Sequence, residues 1–188
     1  HMDSLVGVLR KKIEALPFGE DINLIVTSDH GMTDISPERV VNINDYVKPE
    51  WCEVIDGRTP TSIFSKPEYR DSICNALKKA AHIHVWKKEE IPAELHYGSS
   101  DRIGDIVVAP ELGWQFTDVA RDTKGAHGYF PQSPDMQVMF RAIGPDFKRG
   151  YISGGFVNVD IYPLLSHLLQ IVPEKTDGRF ERIKEILR

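Results

Sequence analysis

The sequence predicts an α/β fold, a mostly parallel sheet flanked by helices, truncated, and carrying a small α+β insertion. Three observations predict it. Leu24-Ile25-Val26-Thr27 is an unbroken apolar or β-branched run, as expected of a strand buried on both faces in a parallel sheet. A helical pattern stands just before that run, so helix, short turn and strand follow one another as in half of a doubly wound unit. From about residue 45 to 117 the pattern breaks into short strands around a single helix, which marks an inserted lobe.

Each element has its own warrant. His1-Met2 reads as a cloning scar. Asp3 or Ser4 can cap a helix to about Leu16, with Leu5, Leu9, Ile13 and Leu16 as its buried stripe and Lys11-Lys12 facing water. Pro17 and Gly19 end it, and a doubly wound unit would need a further strand before this helix. After Ser28 the chain turns at Asp29-His30-Gly31, and Pro37 leads into Val40-Val41-Asn42-Ile43. Two short strands are expected about a turn at Asp56-Gly57. A helix from about Glu68 to Ala81 would bury Ile73, Ala76, Leu77 and Ala80.

His82 to Trp86 and Asp105 to Ala109 read as strands, with Gly113 turning the chain into Trp114-Gln115-Phe116. Residues 118–135 form a Gly- and Pro-rich loop of a length that is usually functional or disordered. Met136 to Ile143 returns to strand pattern. Val159 to Gln170 reads as a well-packed helix through Ile161, Leu164, Leu165, Leu168 and Leu169, and Phe180 to Leu187 as a short terminal one. The predicted organisation is 3–44 with 118–188 as the α/β part, and 45–117 as the insertion.

Length and composition bound the function. A chain of 188 residues suits one domain with an inserted lobe. A net charge of −5 without a basic run argues against a nucleic-acid scaffold, because phosphate neutralisation needs clustered Lys and Arg. No apolar run approaches the ~18 residues of a membrane span. Cys52 and Cys74 lack metal spacing and are either two buried thiols or one disulfide.

Two short motifs carry the chemistry. In Ser28-Asp29-His30-Gly31-Met32 a carboxylate and an imidazole sit side by side just past a strand, where open α/β sheets place their ligands. On a continuing strand they would point to opposite faces; a bend lets both reach one ion, and Gly31 eases that bend. Capping and solvation would serve the same residues equally. In Gly125-Ala126-His127-Gly128-Tyr129 two glycines let backbone crowd a bound group while the imidazole reaches in, although a loop histidine is also at home in water.

Together these motifs resemble the nucleotide pyrophosphatase/phosphodiesterase family of the alkaline phosphatase superfamily. The likeness extends through Asp135-Met136, Phe140 to Phe147 and Asn158-Val159-Asp160-Ile161-Tyr162-Pro163, and in the insertion through Ile91-Pro92, His96-Tyr97-Gly98 and Arg102-Ile103. The resemblance implies an alkaline-phosphatase-like sheet, with this chain as the C-terminal part of the phosphodiesterase domain. It implies two zinc ions, Asp29 and His30 on the ion that activates a Thr or Ser nucleophile and His127 on the other. A zinc site with about three protein ligands per ion wants roughly six for two ions, so three leave the site incomplete. The nucleophile and remaining ligands are expected upstream, with no catalytic residue in this chain; Thr27, Ser28 and Thr33 lack the nucleophile's context.

The implied substrate is a nucleotide or other small phosphodiester, hydrolysed through a covalent phospho-enzyme in the complete protein, outside the cytoplasm in a periplasmic or secreted setting. This chain alone is expected to be inactive, and its truncated sheet edge to favour self-association. The alternatives are a non-catalytic fragment, or a related phosphomutase, phosphonate hydrolase or sulfatase. Phe130 stands where the family often has Asp, which weakens any supporting role there; Tyr129 either lines the site or packs the loop. His82 and His84, alternating on one strand face, suit a metal but are read rather as packing or surface groups; His96 is a weak candidate in the insertion's loop, His167 is read as structural, and Asp105 and Asp135 are available carboxylates not named as ligands.

Overall fold

The computed structural model describes residues 1–120 and 122–188, so Arg121, inside the expected loop, lies outside the described residues. In chain order the elements begin with α1 (Met2–Glu14), β1 (Leu24–Thr27), β2 (Thr33–Asp34), β3 (Val40–Asn42), β4 (Cys52–Gly57), β5 (Thr61–Ser65) and α2 (Arg70–Leu77). They continue with β6 (Ile83–Lys87), β7 (Ile106–Pro110), β8 (Gln115–Thr117), β9 (Gly125–Ala126), β10 (Phe140–Ile143) and α3 (Ile161–Leu168). The chain divides into two compact units, residues 1–29 with 138–188, and residues 30–137.

In the first unit β1 pairs with β10, antiparallel, Leu24 opposite Ile143 and Thr27 opposite Phe140. Ile25, Phe140 and Ala142 pack on a cluster of Phe147, Leu164, Ile183 and Ile186. β1 is not buried on both faces as its composition suggested: Leu24 to Val26 are only partly covered and Thr27 is exposed. An apolar run specifies a strand, but not how many layers cover it.

The helices of this unit depart from expectation in similar ways. α1 begins at Met2, so Asp3 lies inside the first turn and no side chain caps the helix. A carboxylate there still favours the positive end of the helix dipole. The stripe of Leu5, Leu9 and Leu16 is about half exposed rather than buried. α3 buries Pro163, Leu164 and Ser166, but Leu165 is 40% and Leu169 68% exposed, so helical spacing overstated its packed face. The predicted terminal helix is two 3-10 turns, Phe180–Arg182 and Lys184–Ile186, with Leu187 bridged to Phe147.

The second unit holds a four-stranded antiparallel sheet, order β4-β5-β7-β6, with α2 against it. Ile63, Ile73, Leu77, Ile106 and Val108 are fully buried at its centre. α2 ends at Leu77 and presents Ile73, Cys74 and Leu77 to the core. Ala76, expected in that face, is only partly covered, and Cys74 is buried there instead. Gly57 closes β4 and the turn runs through Arg58, Thr59 and Pro60. His82 adopts φ 64° just before β6, so it does not share a strand face with His84. Cys52 and Cys74 are both free thiols, and burial pushes the Cys52 thiol above its ordinary range against the opposing charge of Lys66.

The α/β class stands, yet the ladders in this chain are mostly antiparallel. Among the described residues β3 with β8, Val40 opposite Gln115, is the parallel pairing. A parallel partner needs a crossover of about a dozen residues or more. β4 reaches β5 by a tight hairpin instead, and β10 runs against β1.

Candidate functional site

The two motifs are joined by a short ladder. β2 pairs antiparallel with β9, Thr33 opposite Ala126 and Asp34 opposite Gly125, and the Ile35 amide donates to the Lys124 carbonyl at 3.0 Å. His30 precedes this ladder and His127 follows it on the opposite strand. Pairing β-bonded neighbours so brings their side chains within reach across the ladder. The rings stack face to face, centroids 3.5 Å apart and planes 12° from parallel.

Further bonds hold the His30 segment. The Gly31 and Met32 amides donate to the Met136 and Asp135 carbonyls at 3.1 and 2.8 Å. The approach is close enough that a Cβ on Gly31 would lie 1.9 Å from the Asp135 carbonyl oxygen, so a side chain does not fit there. Buried Thr33 donates its hydroxyl to the Asp135 carboxylate at 2.6 Å. This bond gives both residues a structural task. The Thr27 hydroxyl likewise donates to the Met139 carbonyl at 3.0 Å.

The His30 ring has a defined orientation. Its Nδ1 lies 2.8 Å from the Gly31 carbonyl oxygen. A carbonyl only accepts, so Nδ1 carries the proton and the electron pair of the neutral ring sits on Nε2. A backbone carbonyl on one imidazole nitrogen is the usual way a metal-binding histidine is oriented. His30 is half-buried and His127 exposed.

Asp29, the residue before His30, ends the first segment of its own unit, where its carbonyl accepts from the Asn158 side chain at 3.5 Å and the Ser28 hydroxyl meets its carboxylate at 3.5 Å. The structure thus brings His30 and His127 together. Among the described residues no three His, Cys, Asp or Glu side chains form a group able to hold a metal ion. The donor types, two imidazoles and a carboxylate, are those zinc accepts.

Around the stack the loop is packed. Tyr129 is buried with Ile35, Ala126 and Met136, and its hydroxyl donates to the Trp114 carbonyl at 2.8 Å, so it packs the loop. Phe130 stands edge-on to His84 and Trp86, at 5.0 and 6.2 Å. The crowding at Gly128 is against this chain's own backbone: a Cβ there would meet the Thr59 carbonyl oxygen at 2.1 Å. That contact seats the β4–β5 turn beside His127. Gly57, Arg58, Thr59 and His127 line a cavity of about 350 Å³. Sequence reasoning passed over Arg58, because a lone arginine in a turn carries no local signal of what it will face.

His82, His167 and Asp105 have local partners. His82 stacks on Trp114 at 3.7 Å and its Nδ1 lies 2.8 Å from Glu111. His167 stacks on Phe180 at 4.4 Å. The Asp105 carboxylate accepts from the Ser65 amide and hydroxyl, at 2.8 and 3.0 Å. His96 takes a left-handed conformation after a 3-10 turn. No helix of the described residues is long and apolar enough to cross a membrane.

Comparison with known proteins places these features in context. Residues 1–130 match the family described as type I phosphodiesterase / nucleotide pyrophosphatase. The bovine bis(5'-adenosyl)-triphosphatase ENPP4 is 35% identical over 188 residues, which cover 99% of this chain and 41% of that protein. Human ectonucleotide pyrophosphatase/phosphodiesterase family member 5 is 32% identical, over 99% of this chain and 40% of its own length. The solved structure of human ENPP5 superimposes with a TM-score of 0.93 at 31% identity, over 99% of this chain and 50% of that one. An inactive murine ENPP5 in complex with AMP gives 0.93 at 33% identity, over 100% and 51%. The chain therefore spans about two-fifths of the curated relatives it matches.

Proposed function

Because this chain belongs to the type I phosphodiesterase / nucleotide pyrophosphatase family, we propose that it contributes part of a two-zinc site that hydrolyses phosphodiester or pyrophosphate bonds in nucleotides or other small phosphodiesters. The observation that carries the reading is the His30–His127 stack. A histidine directs its electron pair within its ring plane. The His30 and His127 rings lie in nearly parallel planes, so their electron pairs are directed along separate planes. That arrangement suits the two rings to hold two ions, one each, rather than one ion together.

Asp29 and His30 are the residues that would hold one ion and His127 the other. Bound zinc would supply a two-cation clamp on the attacking and leaving oxygens of phosphoryl transfer. The nucleophile, a Thr or Ser, lies outside this chain: Thr27 and Thr33 spend their hydroxyls on Met139 and Asp135. The relatives' names describe ecto-enzymes, and one is bound to AMP; both support a nucleotide substrate and an extracytoplasmic setting for this protein. Residues 45–117 act as the lobe inserted in the α/β part made of 3–44 and 118–188.

Zinc titration followed by histidine side-chain NMR tests the reading. Zinc is expected to perturb both His30 and His127, with the His30 response retained in His127→Ala because the two rings serve different ions, while bis-p-nitrophenyl phosphate is not turned over. Zinc that leaves both rings untouched would refute the metal assignment. Hydrolysis by the pure chain that disappears in Asp29→Ala would refute the external nucleophile.

The half-exposed stripe of Leu5, Leu9 and Leu16 on α1 supports one further part of the reading, self-association of this chain. Sedimentation velocity is expected to give a concentration-dependent coefficient, abolished by Leu5→Glu with Leu9→Glu. A monomer at every concentration would contradict it.

A further inference from the structure

The turn joining β4 to β5 carries a cation that the stacked histidines do not explain. Arg58 lines the same cavity as His127, with Gly57 and Thr59 completing the wall. The turn is held from several sides. The β4–β5 ladder runs to its last pair, Gly57 opposite Thr61. The Asp56 carboxylate accepts from the Gly57 amide at 2.8 Å, and the Thr61 hydroxyl donates to the Arg58 carbonyl at 3.0 Å. Thr59 rests on Gly128, the neighbour of His127. The backbone of Arg58 is thereby fixed beside the histidine rather than free to wander.

Its charge is available. Among the described residues the ion pairs of this chain do not include Arg58, and the nearby Asp56 carboxylate is engaged with a backbone amide. In a chain of net charge −5 an exposed guanidinium held at a cavity wall stands against the general field. The cavity, about 350 Å³, falls within the ~300–1,000 Å³ usual for small-molecule sites. A guanidinium offers paired N–H donors that match two oxygens of a phosphate, which an ammonium cannot reproduce.

We propose that Arg58 is a substrate-positioning residue, binding a phosphate group of a nucleotide or pyrophosphate beside His127. The class of ligand rests on the functional reading above; the site itself rests on the turn and the cavity. Arg58 would orient a charged oxygen of the substrate and prefer anionic ligands over neutral nucleosides. It needs no ion to do so.

The test is a titration of the chain with AMP, inorganic pyrophosphate and adenosine, followed by the His127 imidazole resonances, with EDTA and again with zinc. With EDTA, AMP and pyrophosphate are expected to shift His127 at millimolar concentration, and adenosine to leave it unmoved. Arg58→Gln should weaken AMP at least tenfold and Arg58→Lys about threefold, the latter keeping charge but losing the paired donors. The urea midpoint of both variants should match the parent, which excludes simple unfolding. Equal AMP binding by Arg58→Gln, or no AMP shift in the parent chain, overturns the proposal. A zinc response with AMP binding independent of Arg58 would sink this inference alone. An Arg58-dependent AMP shift with no zinc response would sink the metal reading and leave this one standing.

Discussion

Gly128→Ala is expected to lower the unfolding free energy by about 2–4 kcal/mol, in the range where backbone strain and a steric clash combine. Two costs act at one residue. Gly128 adopts φ +95°, a conformation that L side chains enter only with strain. Its Cβ would also lie 2.1 Å from the Thr59 carbonyl oxygen, a backbone atom that cannot swing aside as a side-chain tip could. Relief requires the β4–β5 turn to retreat, and that turn is pinned by its ladder and by the Thr61 and Asp56 bonds.

Urea denaturation measures the loss, and Gly154→Ala provides the comparison. A Cβ at Gly154 meets no heavy atom within 4 Å, so its midpoint should move by no more than about 0.5 kcal/mol equivalent. The Gly128 variant should also change the His127 ring environment, because the displaced residue is its immediate neighbour. An unchanged midpoint for Gly128→Ala would mean that the turn does not rest on this glycine, and the placement of Arg58 beside His127 would fall with it.

The two glycines in the His127 motif illustrate what a sequence can and cannot say. Their spacing announced a tight backbone, and the backbone is tight. What crowds Gly128, however, is Thr59, contributed by a hairpin far away in sequence, where a bound group had been expected. Local pattern reports that space is scarce and is silent about who takes it. The same holds for Tyr129: its two readings, lining a site or packing a loop, differ only in the tertiary position of the Trp114 carbonyl that its hydroxyl reaches.

Element type was legible for a related reason. Leu24 to Thr27, Thr61 to Ser65 and Ile106 to Pro110 are strands, and a helix covers Ile73 and Leu77, because apolar period and β-branching act within a few residues. Layering and direction were not. Whether a strand finds a parallel or antiparallel neighbour depends on connections across the whole chain, and the apolar stripe of α1 is the same string whether covered or open. The meeting of His30 with His127 could be anticipated only through the family resemblance. The β2–β9 ladder that produces it is too short to leave a pattern.

A second large effect is expected at Asp160, which lies in the Asn158 to Pro163 stretch whose likeness to the family was visible in the sequence. Its side chain is completely buried. One carboxylate oxygen accepts from the Arg179 amide at 2.8 Å and pairs with the Arg182 guanidinium at 2.9 Å; the other has no hydrogen-bond partner among the described residues. A buried carboxylate is tolerated only where its partners offset its lost hydration. Asp160 therefore ties the start of α3 to the segment leading into the terminal 3-10 turns, whose Ile183 and Ile186 complete the core of the first unit.

Asp160→Ala removes both bonds and opens a cavity, and should cost about 2–3 kcal/mol in urea denaturation, less than the full value for a buried pair because Arg182 is 42% exposed and can recover water. Asp160→Asn separates the two bonds. Its amide oxygen can still accept from the Arg179 amide, so about half of the loss should remain if the ion pair and the backbone bond contribute comparably. Raising the salt concentration should leave the difference between parent and Asn variant nearly unchanged, since a buried oxygen is poorly screened. A parent-like midpoint for Asp160→Ala would show instead that the terminal turns are held by Ile183 and Ile186 alone, and the Asn158 to Pro163 stretch would need a task other than anchoring them.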